Sequence, residues 1–213
     1  MPRIRGSSIE EHHEMVWADL AEAMRQLLLE RDYGAITMGH VAARAGLARN
    51  TLYNYARDMD ALAFALTERV SRPLVGRVTA IAARPGVPAA ERMRAIIAAV
   101  LEAATDPALR PMFWPGGPDP GRAGVRPGLP VSPAATCPDQ PFHTIVTEVE
   151  NLVRDGIAHG EFRPVDNIPL TVELLAGAMR AAAERVGRST PTLPETTQAA
   201  QTLILTSLSA PPG

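Results

Sequence analysis

Lysine is absent from all 213 residues, so every one of the 21 basic side chains is an arginine. That absence removes a P-loop lysine, a Schiff-base lysine and a kinase lysine together. Cysteine occurs once, as Cys137, whereas a disulfide framework or a cysteine-clustered zinc site needs at least a pair. Aromatic residues make up only 4% of the chain. No uncharged apolar run approaches the ~18 to 20 residues that cross a bilayer. The first residues carry Arg3 and Arg5 and then turn polar over 7–14, with no apolar core of a signal peptide; the expected compartment is the cytoplasm, with no membrane partner. Alternating β-branched stretches are missing, as is any GxGxxG or GxSxG between a strand and a helix, which leaves an α/β sheet enzyme without support.

What is present is helical. Apolar residues recur at spacings of three and four, as in Trp17, Leu20, Met24 and Leu28, placing one stripe on a single helix face. Ser8 followed by Glu11 forms a possible capping box, and this first helix is expected to run to about Arg31, where Tyr33 and Gly34 end it. The fold class is read as all-α. Residues 107–141 hold ten prolines and five glycines, too many breakers for a regular element, and are expected to form a long loop inserted within a second domain. Further helices are expected over 88–105, 142–159, 168–186 and 195–207. Pro88, Pro169 and Pro194 suit first-turn positions, while Gly160 and Gly187 suit helix ends. Pro73 falls inside the apolar-periodic stretch 58–83 and predicts a kink or restart there.

Residues 37–62 carry the most information. Thr37 can cap a short helix over 38–45 whose Val41, Ala42 and Ala45 form a small apolar face. Gly46 stands where a left-handed turn residue is wanted, and a second short helix follows over about 48–54, the spacing of a helix-turn-helix. That second helix presents Arg49, Asn50, Thr51, Tyr53 and Tyr55. A guanidinium and an amide can read base edges, and hydroxyls can meet phosphates. The first 70 residues hold eight arginines against ten acids, but residues 33–57 contain no acid at all, and Arg44, Arg49 and Arg57 give that window a charge of +3. A focused basic face suffices for DNA, because affinity follows the phosphates neutralised at the contact. Arg3 and Arg5 can add an arm for the minor groove.

The string Tyr33-Gly-Ala-Ile-Thr-Met-Gly-His-Val-Ala-Ala-Arg-Ala-Gly-Leu-Ala-Arg-Asn-Thr-Leu-Tyr-Asn-Tyr-Ala56, continued by Arg57-Asp-Met-Asp-Ala-Leu62, resembles the signature of the tetracycline-repressor (TetR) family of bacterial transcriptional regulators. The likeness covers roughly the first 70 residues, and Gly160-Glu-Phe-Arg-Pro164 looks like the junction ahead of that family's dimer-forming helices. Two positions depart from the family: Ala56 stands where phenylalanine is usual, and Met59 where a lysine usually meets a phosphate. Arg57 is a substitute cation for that contact. The resemblance implies a DNA-binding helix-turn-helix domain over 1–57 and a ligand-binding, dimerising domain over 58–213. It assigns Thr37, Thr51, Tyr53, Tyr55 and the Ala48 backbone N–H to phosphates, and leaves Arg49 and Asn50 as base readers. For Tyr53 the alternative is packing beneath the helix, and for Arg44 a solvated face.

The resemblance further implies a homodimer, a palindromic operator of double-stranded DNA with half-sites about 34 to 36 Å apart or a multiple of that, and release by a small apolar effector. Candidate pocket residues are Met93, Ile97, Met112, Phe113, Trp114, Phe142, Val146 and Met179; burial as plain core is the alternative for each. Dimer candidates are the helices over 168–186 and 195–207, whose small residues Ala176, Gly177, Ala178, Ala181, Ala182 and Ala183 permit close approach and whose Leu174, Leu175, Leu203, Ile204 and Leu205 can seal it. An activator or a corepressor-dependent regulator of the same fold is an alternative, as is a helical binding protein or enzyme that keeps an unused head. No cofactor or metal is expected. His12 and His13 are adjacent and point apart on a helix, and Asp155 with His159 is a single i, i+4 pair. No Ser, His or Asp occupies a context that activates a nucleophile, so the chain is expected not to be an enzyme. Cys137 is expected to be an inert exposed thiol.

Overall fold

The computed structural model describes residues 9–109 and 141–209, with the side chains of Ile9, Pro141 and Phe142 excepted. Eight α-helices and no strands occur among them: α1 (Ile9–Glu30), α2 (Met38–Arg44), α3 (Arg49–Leu52), α4 (Met59–Ala82), α5 (Ala89–Ala103), α6 (Pro141–Ala158), α7 (Ile168–Arg188) and α8 (Leu193–Leu208). The fold is all-α, as the 3.6-residue periodicity requires. Arg3, Arg5, Ser8, Met112, Phe113, Trp114 and Cys137 lie outside the described residues.

Two hydrophobic cores form, and α4 contributes to both. The head core gathers Leu20, Met24 and Leu27 of α1 with Val41, Leu52, Leu62 and Leu66. The body core gathers Leu74, Val78 and Ile81 of α4 with Ile97, Leu101, Leu152, Val153, Ile204 and Leu208. Burying such aliphatic side chains contributes roughly 1.5–3 kcal/mol each against exposure. In the body α4 packs on α5 and α6, and α8 lies against α5 and α7.

Helix α4 passes through Pro73 as one element, so the expected restart does not occur. Pro73 lies on the exposed face while Ser71 and Leu74 are buried. The carbonyl that loses its N–H partner can therefore be served by water, and packing on the other face holds the helix together. Gly187 likewise falls inside α7, which continues to Arg188 and ends at Ser189. Pro88 is the residue before α5 and not its first turn.

The end of α6 is a Schellman motif. Gly160 adopts φ +71, Glu161 donates its N–H to the Gly156 carbonyl at 2.8 Å, and Gly160 to that of Ile157 at 3.1 Å. The chain then folds Phe162 back over Gly156, where a Cβ would meet the ring at 2.3 Å. Arg163 closes the junction by donating its backbone N–H to Leu208 and its Nε to Ser207, each at 2.8 Å, which satisfies carbonyls at the end of α8.

The head and body are joined side to side as well as through α4. Arg25 of α1 reaches Asp106, just after α5, with Nε to Oδ1 at 2.9 Å and Nη2 to Oδ2 at 3.1 Å. Asp106 also accepts from the Ala108 N–H at 2.9 Å, fixing the 3₁₀ turn Pro107–Leu109 that packs on α1. Nearer the start of α1, Arg69 of α4 binds Glu14 at 2.9 and 3.0 Å and stacks 4.6 Å from the Trp17 ring.

Candidate nucleic-acid interface and effector cavity

Local sequence builds the head's turn. Thr37 is extended and its hydroxyl accepts from the His40 N–H at 3.3 Å, while His40 Nδ1 accepts in return from the Thr37 N–H at 3.3 Å. This is a capping box with histidine in the place usually held by glutamate or glutamine. With Nδ1 accepting, the neutral ring keeps its proton on Nε2. After α2, Gly46 takes φ +67. Leu47 donates to Ala42 at 2.9 Å and Gly46 to Ala43 at 3.3 Å, a second Schellman motif. A Cβ at Gly46 would meet nothing, so the backbone angle alone calls for glycine there.

Helix α3 is shorter than the sequence pattern predicts. Its regular part spans four residues, Arg49–Leu52, and the chain continues in hydrogen-bonded turns, with Asn54 donating to Thr51 at 3.1 Å, Tyr55 to Leu52 at 2.9 Å and Ala56 to Leu52 at 3.1 Å. Leu52 is fully buried and fixes which side faces the core. Arg49, Asn50, Tyr53 and Asn54 consequently face solvent, with Thr51 half-buried between them.

The two tyrosines part company. Tyr53 is 44% exposed and accepts a long 3.4 Å hydrogen bond from Arg49, whose guanidinium stands 5.9 Å from the ring centre. Tyr55 is half-buried, its ring edge-on to Trp17 at 5.4 Å and tilted against His13 at 5.4 Å. Ala56 is buried in the head core, and Met59 packs against it.

The three arginines of the acid-free window also differ. Arg44 is held by both carboxylate oxygens of Glu30, at 2.8 and 2.7 Å, and by Gln26 at 3.3 Å. That bond is the chief cause that raises the Arg44 pKa and lowers that of Glu30. Arg57 approaches Asp58 at 3.3 Å, and Asp58 in turn caps α4 by accepting from Ala61 at 2.8 Å. Arg49 has no carboxylate partner and remains the open cation of the window. Tyr33 donates to Asp60 at 3.0 Å, tying the segment before α2 to the start of α4, and burial followed by that bond pushes its hydroxyl pKa up. Ala48, the residue before α3, has extended backbone and no side-chain cap, so the amides that follow it include open donors.

In the body, a cavity of about 70 Å³ lies between α5, α6, α7 and α8. Met93, Ile97, Val146 and Met179 line it, as do Ile96, Val100, Ile145, Val149, Val172, Leu175, Ala176 and Ile204. Met112, Phe113 and Trp114 and the side chain of Phe142 lie outside the described residues. The sequence pattern marked four of these thirteen lining residues and missed nine: eight are apolar residues that read as plain core or as dimer candidates, and the ninth is Arg180, because an arginine one turn after Ala176 reads as surface charge. Leu170, Leu174 and Leu203 of α7 and α8 are exposed, whereas Ile204, Leu205 and Ala183 are buried within the chain. Among the described residues no group of three His, Cys, Asp or Glu is arranged to hold a metal ion, and no helix is long and apolar enough to cross a membrane.

Comparison with known proteins agrees with this geometry. The family profile "Bacterial regulatory proteins, tetR family" matches residues 20–66. The HTH-type transcriptional regulator AlkX of Mycobacterium tuberculosis is 44% identical over 59 residues, a match that spans 28% of this chain and 28% of AlkX. The fatty acid degradation regulator FadR of Bacillus halodurans has a similar fold, with a TM-score of 0.68 at 13% identity, covering 94% of this chain and 97% of that one. The MbdR regulator of Azoarcus sp. CIB superposes with a TM-score of 0.67 at 20% identity, covering 92% and 100%. Residues 20–66 thus carry the helix-turn-helix domain of the tetR family of bacterial regulatory proteins, and the chain along nearly its whole length shares the all-α fold of solved transcriptional regulators.

Proposed function

We propose that this chain is a homodimeric repressor that occludes a palindromic operator and lets go when a small apolar molecule occupies the body cavity. The observation that carries the reading is the open face of α3. Arg49, Asn50 and Tyr53 project from an element pinned by buried Leu52 and by the turn at Gly46, with no carboxylate bound to Arg49. Arg49 and Asn50 are the base readers, because bidentate guanidinium and amide groups match guanine and adenine edges in the major groove. Thr37, Thr51, Tyr53, the Ala48 N–H and Arg57 serve phosphates. Tyr55 contributes by bracing the head through Trp17 and His13, and Arg44 by tying α2 to α1 through Glu30.

A second copy supplies the other head. The exposed leucines of α7 and α8 give it an apolar face to cover, and twofold symmetry of the protein calls for twofold symmetry in the DNA. The cavity is small beside the ~300 to 1,000 Å³ of ordinary small-molecule sites, so an effector enters by displacing side chains such as Met93 and Met179. Displacement in α5 is passed toward α1 through Asp106 and Arg25, and an effector need supply only about 1–3 kcal/mol of preference for the DNA-incompetent arrangement.

The test is a binding titration of the full chain on DNA flanking its own gene, across a salt series and against random DNA of equal length. The expected result is a sequence-selective complex of dimer stoichiometry whose affinity falls as salt rises. Equal affinity for both DNAs at every salt concentration overturns the operator reading.

A further inference from the structure

The body cavity is apolar along almost its whole described wall, and among the described residues that line it only Arg180 is charged. Arg180 belongs to α7, whose Val172, Leu175, Ala176 and Met179 face the same space. The other two arginines of α7 have partners: Arg188 binds Glu184 at 2.8 Å, and Arg185 approaches Glu195 at 3.7 Å. Glu184 stands one turn beyond Arg180, the spacing of a helix ion pair, yet it is committed to Arg188. Arg180 is left with no hydrogen bond or ion pair to any described residue, and it is exposed at the edge of the cavity it lines.

A guanidinium with five open donors at the edge of an apolar cavity selects one chemical shape. An apolar tail lies among the methionine and aliphatic side chains, and a planar anion at its end meets the fork of Arg180 with two parallel hydrogen bonds. We propose that the effector is an amphipathic carboxylate, with its tail in the cavity and its carboxylate on Arg180. This deepens the effector reading given above and rests on it.

The cavity's walls and its cation make separable contributions. Octanoate and 1-octanol share a tail and differ at the head, so calorimetric titration and thermal shift of the full chain with each, for the wild type and Arg180→Gln, separate the two. Octanoate is expected to bind the wild type about tenfold more tightly than 1-octanol, as one charge-assisted pair implies. Arg180→Gln is expected to remove that advantage while leaving 1-octanol binding unchanged, which also shows that the variant keeps its cavity. Equal binding of the two by the wild type, or an octanoate preference that survives in Arg180→Gln, overturns the role of Arg180 and leaves the apolar cavity standing. Binding of neither compound overturns this proposal and counts against the effector cavity as well.

Discussion

Arg25 and Asp106 are 81 residues apart in the chain, yet their side chains meet through two nearly parallel hydrogen bonds of 2.9 and 3.1 Å. Each is about two-thirds buried. The bond to Asp106 is the chief cause that raises the Arg25 pKa. It ties the head's first helix to the segment that ends α5, the helix whose Met93, Ile97 and Val100 wall the cavity. A double-mutant cycle of Arg25→Met, Asp106→Asn and the pair, followed by urea unfolding, is expected to give a coupling energy of about 1 kcal/mol, within the range of well-formed bidentate pairs near the surface. Asparagine is preferred to alanine because it keeps an acceptor for the Ala108 N–H. Strict additivity of the two substitutions would show that water replaces the pair at no cost.

Arg49→Ala is expected to weaken binding to the operator by about 1–3 kcal/mol while changing the affinity for random DNA little, since one bidentate base contact is lost. Tyr53→Phe removes the hydroxyl that Arg49 reaches at 3.4 Å and is expected to have the smaller effect, shared by both DNAs, as befits a phosphate contact. Competition titrations with specific and random duplexes measure both. An equal loss on the two duplexes for Arg49→Ala would move that side chain to the phosphates.

Much of this architecture could be read from residue spacing because its causes are local. Thr37 caps α2, and Gly46 and Gly160 take the left-handed angles that end α2 and α6, each at the place the pattern assigns. The shortness of α3 is less visible: a polar run over 48–54 reads as one helix, while the structure loosens after Leu52 as the backbone turns toward α4. Pairings between helices were hidden for a different reason. Arg44 looks like a free cation until α1 brings Glu30 beneath it, and Phe162 looks like ordinary core until the turn at Gly160 lays it on Gly156. Arg180 carries no local mark at all. Only the packing of α5, α6 and α8 around α7 turns its position into the edge of a cavity.

Acid should reveal a second link. The hydrogen bond from Arg92 holds the Asp155 carboxyl below the usual aspartate range, with a smaller contribution from His159. A carboxyl depressed in the folded state contributes stability that is present above its unfolded pKa of about 3.9 and is lost as pH falls through the lower folded value. Thermal melts of the wild type and Asp155→Asn from pH 7 down to pH 2 are therefore expected to differ by a constant amount above about pH 5 and to converge toward the acid end. A gap that stays constant through the whole range would mean that Asp155 acts through packing and not through its charge.

The exposed leucines test the assembly on which the operator argument depends. Leu174 is 68% exposed and Leu203 62%, unusual for aliphatic side chains on two neighbouring helices whose other leucines and isoleucines are mostly packed inward. A partner covering them gains roughly 25 cal/mol for each Å² of apolar surface removed from water, and an acid placed there would have to be desolvated in both copies at once. Leu174→Glu combined with Leu203→Glu is expected to leave the helical content close to that of the wild type, because neither side chain serves the chain's own core, and to lower the urea midpoint only by what association adds. Sedimentation velocity should then report a monomer, and operator affinity should fall by more than tenfold, since one head alone contacts only one half-site. A double variant that still sediments as a dimer would place the twofold contact elsewhere on the surface.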